Sequence, residues 1–282
     1  MEQALLIVWR ESVEALLVVG LLYAWLSRQP EGRRALRLLW IGVAGGAALA
    51  GLLALLMLVA GNWMSGTAGE WFQAGMSALA SLLILQMVVW MARNGRQLRR
   101  QLEHRAALAL AQGRQTALAL LAALAVAREG SEIAIFLYGA AGSASAGQML
   151  AGSLLGGLLG LASFALLQAG SRLLDWRRFF LISETLLLLL GGAMLMNALD
   201  RASGQLMGLD LPEPLYAWLG DPLWDSSAWL DDGSRLGSLV ASLTGYRAMP
   251  SAAALVLLAG FWLVAWYWRR VPAPAEGERS PA

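Results

Sequence analysis

Two short charged strings, each inside a long apolar run, constrain this chain more than any other feature. Residues 10–14 read Arg-Glu-Ser-Val-Glu, and residues 128–132 read Arg-Glu-Gly-Ser-Glu. A charge at the centre of a bilayer costs about 2.5–3.5 kcal/mol on insertion scales. Six unpaired charges would cost roughly 15–20 kcal/mol, which exceeds the stability of a typical fold. The strings must therefore neutralise one another or an ion that they bind.

Helical geometry places the three charges of each string on one arc. The Arg and the second Glu are one turn apart, and the first Glu lies about 100° round the helix from the Arg. We expect that arc to face the interior of a helix bundle. An ion pair between the Arg and the Glu four residues on leaves each string with a net charge of about −1. The two strings together, at about −2, suit a multivalent cation.

The composition indicates a polytopic membrane protein. Only 14% of the 282 residues are charged and 58% are hydrophobic, whereas a soluble domain carries about 25% charged residues. The absence of Cys excludes disulfides and thiolate metal sites. A net charge of +2 gives no support to nucleic-acid binding, and no nucleotide-binding loop for ATP hydrolysis is present. The first residues lack a positively charged region, so we expect the first apolar run to be retained.

Seven apolar stretches are long enough to cross about 30 Å of hydrocarbon at roughly 20 residues each. The predicted fold class is therefore an all-α polytopic membrane protein with seven transmembrane helices. The predicted spans cover approximately 4–27, 36–60, 70–92, 115–140, 147–170, 178–199 and 250–268.

The distribution of Arg predicts the orientation. Connections 61–69 and 139–146 carry no basic residue, whereas the connections that alternate with them are rich in Arg. Cytoplasmic loops carry the excess of basic residues. The N-terminus is predicted outside and the C-terminus inside, which agrees with an odd number of helices.

Spans one and four then cross the membrane in opposite directions, although both carry the charged string. This pattern predicts an inverted repeat of three helices plus three, with an extra C-terminal helix. Transporters built this way bind their substrate near the midplane, where the repeats meet. We predict one transmembrane domain over 1–270 and a disordered cytoplasmic tail over 271–282. The parts of the domain are repeat one (about 4–92), repeat two (about 115–199), an outer segment (200–249) and a last helix (250–268).

Small residues mark the second span of each repeat. Gly42, Gly45 and Gly46 lie in the second span, and Gly152, Gly156 and Gly160 lie in the fifth. Small residues one turn apart let helices approach closely in lipid. We expect both spans to pack closely against neighbouring helices.

Further polar residues are candidate ligands where an ion enters or leaves. Glu70 and Gln73 lie near the outer end of the third span, and Glu184 lies nearer the inner end of the sixth. Asp221 and Asp225 belong to the acidic and aromatic outer segment, which either concentrates cations, docks a partner or forms a solvated loop. A Glu near a helix end can also simply reach the headgroup region.

The ligand chemistry of the strings favours hard cations, because every candidate donor is a carboxylate oxygen. Calcium, magnesium, manganese and ferric iron all remain open on this argument. A membrane-embedded di-iron carboxylate enzyme is an alternative, but such sites usually contain Glu-x-x-His pairs and the only His is His104. A third interpretation is that the ion pairs only lock two helices together.

The paired strings resemble those of the FTR1-type, oxidase-dependent iron permease family. Other similar stretches are Gln-Met-Val-Val-Trp-Met at 86–91, Leu-Trp-Asp-Ser-Ser-Ala-Trp-Leu at 223–230 and Thr-Gly-Tyr-Arg at 244–247. The resemblance covers nearly the whole chain except its tail. Gln73 is a departure, because many family members carry an acidic residue there.

The resemblance implies uptake of iron, as the ferric ion, through the cytoplasmic membrane of a bacterium. It also implies delivery by a separate ferroxidase or a periplasmic iron-binding protein. Iron is then cargo, and no permanently bound cofactor is expected. A permease for another metal, such as lead or manganese, is a close alternative. The implied metal ligands are Glu11, Glu14, Glu129 and Glu132, with Arg10 and Arg128 as counter-charges.

Overall fold

The chain folds into a bundle of long α-helices in a computed structural model that describes residues 1–29, 32–64, 66–111, 115–141, 145–169, 176–209 and 212–270. Within these ranges the only β-type pairing is an isolated bridge between Pro222 and Ser251. The helices are α1 (Glu2–Leu26), α2 (Gly32–Trp63), α3 (Thr67–Ala111), α4 (Gln115–Ala140), α5 (Ala146–Gln168), α6 (Trp176–Leu206), α7 (Glu213–Gly220), α8 (Arg235–Thr244) and α9 (Ala252–Arg270).

Each of the seven predicted spans coincides with one long helix, α1 to α6 and α9. Five of these, α2, α3, α5, α6 and α9, are long and apolar enough to cross a membrane. The other two, α1 and α4, have the length, but each carries the three charges of its string. The all-helical membrane class is confirmed, whereas the count of seven crossings stays a prediction.

Two helices extend beyond their predicted ends. The third was predicted to end near residue 92, but α3 continues to Ala111 through a segment rich in Arg, Gln, Leu and Ala, which are good helix formers. The sixth was predicted to end near residue 199, but α6 continues to Leu206. Its last turns form two ion pairs with other parts of the fold, because Arg201 lies 2.6 Å from Glu70 and Asp200 lies 2.6 Å from Arg247.

Helix α2 packs closely against α4 through its glycines. A Cβ atom at Gly42 would overlap the backbone of Ala119, and one at Gly46 would overlap the backbone of Ala123. Gly45 differs, because it has open space beside it. Close packing is thus confirmed for two of the three glycines of this span.

Helix α5 packs in the same manner against α1. A Cβ atom at Gly156 would overlap the backbone of Leu5, and Gly152 and Gly160 also lie against α1 one turn away on either side. The ring nitrogen of Trp9 donates a hydrogen bond to Ser163 across this interface. The first helix of each predicted repeat is therefore held by the second helix of the other.

The main hydrophobic core lies among α1, α3, α4, α6 and α9. Its buried side chains include Ile7, Ile84, Phe136, Leu190 and Phe261. Helix α3 also packs along α6. These contacts fix the faces of α1 and α4 that carry the charged strings.

The outer segment forms two short helices and an irregular connection. Helix α8 packs against α6 and the N-terminal end of α1, where the side-chain amide of Gln3 donates to the carbonyl of Ser242 at 2.6 Å. Tyr246 donates to the carbonyl of Leu230 at 2.9 Å. The predicted disordered tail, 271–282, lies outside the described residues.

Candidate metal site

The structure brings the two charged strings together. Glu14 is the central residue of α1, and Arg128 lies at the centre of α4. Glu11, Glu14 and Glu129 each present a carboxylate oxygen within 4.8 Å of the others. All three side chains are buried. Residues more than a hundred positions apart therefore form one cluster halfway along two long helices.

Arg10 is enclosed by the α1 half of the cluster and is only 1% exposed. Its Nη1 atom donates to Glu11 Oε1 at 2.9 Å, and its Nη2 atom lies 2.5 Å from Glu14 Oε1 in an ion pair without hydrogen-bond alignment. The Nη1 atom also contacts Met87 Sδ at 2.7 Å. The predicted pairing four residues apart is present, and a thioether completes the surroundings of the guanidinium.

The α4 half is more open than the α1 half. Arg128 Nε donates to Glu132 Oε1 at 3.0 Å and lies 3.9 Å from Glu129 Oε1. The guanidinium lies 5.1 Å from the centre of the Trp90 ring, in a cation–π contact. The side chain of Arg128 is 45% exposed. The expectation that all three charges face the interior thus holds for α1, whereas in α4 only the two glutamates are mostly buried.

Several carboxylate oxygens in the cluster lack a donor. Among the described residues, Glu11 Oε2, Glu129 Oε2 and Glu132 Oε2 are buried and accept no hydrogen bond. Leaving a buried acceptor unpaired costs about 1–3 kcal/mol, and more for a charged group. Four carboxylates also face only two guanidinium groups. This arrangement is suited to a hard multivalent cation, which would supply the missing positive charge.

Comparison with known proteins identifies the family to which this chain belongs. The model of the iron permease FTR1 family matches residues 1–271. The chain belongs to the FTR1 iron permease family. It is 31% identical over 262 residues to the ferrous iron permease EfeU of Escherichia coli O6:H1, covering 87% of each chain. It is 28% identical over 259 residues to the ferrous iron permease EfeU of Yersinia pestis, covering 87% of this chain and 85% of that one. No solved structure matches.

Family membership confirms the resemblance drawn from the two strings. This FTR1 permease is a multi-pass membrane protein that transports iron, and iron is its cargo. The alternative of a carboxylate metalloenzyme is wrong, because the family consists of transporters.

The candidate ligands near the N-terminal end of α3 are paired with other groups of the permease. Glu70 lies 2.6 Å from Arg201 and lines a cavity of about 400 Å³. The side-chain nitrogen of Gln73 donates to the carbonyl of Tyr138 at 2.7 Å and reaches that of Gly139 at 3.4 Å. Gln73 therefore satisfies carbonyls that the end of α4 leaves without intrahelical partners.

The remaining candidates lie in the N-terminal part of α6 and in the segment 200–249. Glu184 accepts a hydrogen bond from Arg269 of α9 at 3.1 Å. Asp221 is exposed after the end of α7. Asp225 is exposed and accepts from the backbone N–H of Ser227 at 2.8 Å. Hydrogen bonds from the Ser227 side chain and backbone lower the pKa of Asp225, so this acid is ionised across the ordinary pH range.

Sequence reasoning missed two residues of α3 that touch the cluster. Met87 and Trp90 contact the arginines of the two strings, and neither was among the candidate site residues. The available signal was their spacing of three residues within the stretch 86–91, which places both side chains on one face.

Proposed function

We propose that this permease carries iron inward across the cytoplasmic membrane of a bacterium through the buried carboxylate cluster. The observation that carries the proposal is the set of buried, unpartnered oxygens in a cluster with more carboxylates than arginines. The proposed ligands are Glu11, Glu14, Glu129 and Glu132. Arg10 and Arg128 are the proposed counter-charges of the empty site.

Displacement of the arginines explains how one site can be both stable when empty and attractive to a cation. Without an ion, Arg10 and Arg128 each hold two carboxylates of their own string. An arriving cation satisfies the unpartnered oxygens and weakens the attraction of the carboxylates for both arginines. The site then releases the ion when the arginines pair with their glutamates again.

The packing of the helices supports an inverted repeat of α1–α3 and α4–α6. Exchanging α1 with α4, α2 with α5 and α3 with α6 converts the α1–α5 interface into the α4–α2 interface. The same exchange leaves the α1–α4 and α3–α6 contacts in place. An inverted repeat puts α1 and α4 in opposite directions with their strings at a common depth, as the proposed midplane site requires.

The membrane potential supplies a driving force for inward transport. Moving one charge across 100 mV is worth about 2.3 kcal/mol, so a trivalent ion gains about 7 kcal/mol and a divalent ion about 5 kcal/mol. The chain needs no nucleotide-binding loop for such transport.

We propose ferric iron as the transported species, received from a separate ferroxidase or periplasmic iron-binding protein. The all-oxygen ligand set favours the harder ferric ion. The relatives are named ferrous iron permeases, which makes the ferrous ion the competing candidate. Uptake of radiolabelled iron from ferric citrate, compared with uptake in excess ascorbate, separates the two. Faster uptake with ascorbate, in cells lacking iron oxidases, would contradict the ferric assignment.

The ligand assignment is tested with Glu14→Gln and Glu132→Gln, which keep the side-chain shape and remove the charge. We expect both variants to lose radiolabelled iron uptake at normal protein levels in the membrane. Glu213→Gln is the matched control, because Glu213 is exposed at the start of α7. Wild-type uptake by both cluster variants would overturn the assignment. Competition by manganese or lead in reconstituted vesicles tests the alternative cargoes.

A further inference from the structure

One face of α3 carries a row of polar side chains that the proposed ligand set does not use. Glu70, Gln73, Ser77 and Ser81 follow one another at spacings of three, four and four residues. This spacing places them on one side of the helix. Polar residues inside a membrane helix are costly and generally face the bundle interior or a water-filled cavity. The polar row therefore forms a continuous polar stripe along α3, from its outer end towards its middle.

The outer end of the row opens into the cavity of about 400 Å³. Glu70 of α3 and Gly139 of α4 both line this cavity, together with residues of α6. The carbonyl oxygen of Gly139 accepts a hydrogen bond from Ser77 Oγ at 2.7 Å. Gln73 reaches the same carbonyl at 3.4 Å. The second and third members of the polar row thus contact the backbone of Gly139, which lines the cavity.

The inner end of the row is a buried hydroxyl group that has no partner. Ser81 is 1% exposed, and its Oγ atom makes no hydrogen bond among the described residues. A serine within a helix can usually bond to a carbonyl one turn back, so an orphaned buried hydroxyl is unusual. Such a group is available to a passing cation or its hydration water.

The polar row leads from the cavity towards the depth of the carboxylate cluster. The antiparallel packing of α3 and α4 shows this. Ser77 of α3 contacts Gly139 near the C-terminal end of α4, and Trp90 of α3 contacts Arg128 at the middle of α4. Along α4, Glu132 lies seven residues before Gly139, which is about 10 Å of helix. Along α3, Ser81 lies about 6 Å further in than Ser77. Ser81 thus falls at a depth between the cavity and Glu132.

Phe136 lies on α4 between the cavity and the carboxylate cluster. It lies one turn from both Gly139 and Glu132, and its side chain is fully buried. It belongs to the core cluster that includes Ala80 and Ile84 of α3. An apolar ring at this depth closes the seam between the outer cavity and the carboxylates.

We propose that the seam between α3 and α4 is the outer access route for the cation. Ser77 and Ser81 supply oxygen atoms along it, and Phe136 blocks it in the conformation described here. The ion enters at Glu70, passes the two hydroxyl groups and reaches Glu132 when the Phe136 ring moves aside. This inference rests on the proposed transport site, because it names the path that leads there.

The absence of Cys in the chain makes the route directly testable. The variant Ser81→Cys is expressed in intact cells and treated from outside with a small membrane-impermeant methanethiosulfonate reagent. We expect labelling of the new thiol and a loss of iron uptake after labelling. Ala122→Cys is the control, since Ala122 is fully buried in the core cluster of α1, α2 and α4 residues, away from the seam between α3 and α4. It is expected to resist the reagent and to keep its uptake after treatment.

A second variant addresses the closing side chain. Phe136→Ala, combined with Ser81→Cys, is expected to raise the rate of labelling from outside. Equal labelling of the two Cys variants would overturn the route. So would a failure of the external reagent to label Ser81→Cys both with Phe136 present and with Phe136→Ala. Labelling does not depend on transport, so a failed route is distinguishable from a failed site. Normal iron uptake by Glu14→Gln and Glu132→Gln would show that the proposed transport site is wrong, whatever the labelling result.

Discussion

At the residue scale, each arginine of the two strings pairs with the glutamates one and four residues further along its own helix, but the two arginines have different environments. Arg10 is almost fully enclosed, whereas the side chain of Arg128 is 45% exposed. Arg10→Gln is expected to cost about 3–5 kcal/mol of unfolding free energy, because it leaves two buried carboxylates without their counter-charge. Arg128→Gln is expected to cost clearly less, since the Arg128 side chain is less enclosed than Arg10 and lies 3.9 Å from Glu129. Thermal unfolding of both variants in the same detergent checks this order.

A double variant serves as the control for that comparison. Arg10→Gln combined with Glu14→Gln removes one charge of each sign, so it is expected to recover part of the stability that Arg10→Gln loses. Equal unfolding midpoints for Arg10→Gln and Arg128→Gln would show that enclosure does not decide the strength of these ion pairs.

Met87 is the second residue whose environment gives a prediction. Its sulfur lies 2.7 Å from Arg10 Nη1, so it adjoins the ion once Arg10 leaves the carboxylates. Met87→Leu keeps the volume and is expected to weaken competition by soft ions such as cadmium, because only the thioether favours soft ions. Competition against iron uptake in vesicles measures this effect. Met194→Leu changes a fully buried core methionine in the same way and is expected to leave the competition unchanged.

The ion pairs within the two strings were predictable because a charge in an apolar run has few acceptable environments. The pairs Arg10–Glu14 and Arg128–Glu132 follow from helical spacing alone. The contacts of Met87 and Gln73 did not follow, because they depend on how α3 lies against α1 and α4. Sequence spacing describes neighbours within a helix, whereas the rotation of one helix against another is set by packing.

At the scale of the elements, the glycines of α2 provide a test with an internal control. A methyl group at Gly46 would overlap the backbone of α4, whereas Gly45 has open space beside it. Gly46→Ala is therefore expected to destabilise the permease by about 1–3 kcal/mol, which is typical of overpacking. Gly45→Ala is expected to be neutral or slightly stabilising, because Ala favours helix. Thermal unfolding in detergent compares the two, and a larger loss for Gly45→Ala would contradict the α2–α4 interface.

The positions of the elements were more predictable than their lengths. Apolar runs end where the membrane ends, but a helix can continue into water, as α3 does to Ala111. Likewise, α6 continues to Leu206, and its last turns form ion pairs with partners distant in sequence. Glu70 of α3 and Arg247 after α8 are these partners, and neither is identifiable from the sequence of α6 itself.

At the scale of the whole molecule, the orientation in the membrane is the remaining prediction, and single Cys residues test it. The proposed topology places Trp229 in the outer segment and His104, on the extension of α3, in the cytoplasm. Both side chains are exposed, and that of Trp229 is 93% exposed. Trp229→Cys is expected to react with an impermeant maleimide in intact cells, whereas His104→Cys is expected to react only after permeabilisation. The positive-inside rule gives this order, because Arg is concentrated on the side of His104. The reverse order would show that the bundle has the opposite orientation in the membrane. The cavity at Glu70 would then lie on the side where iron leaves.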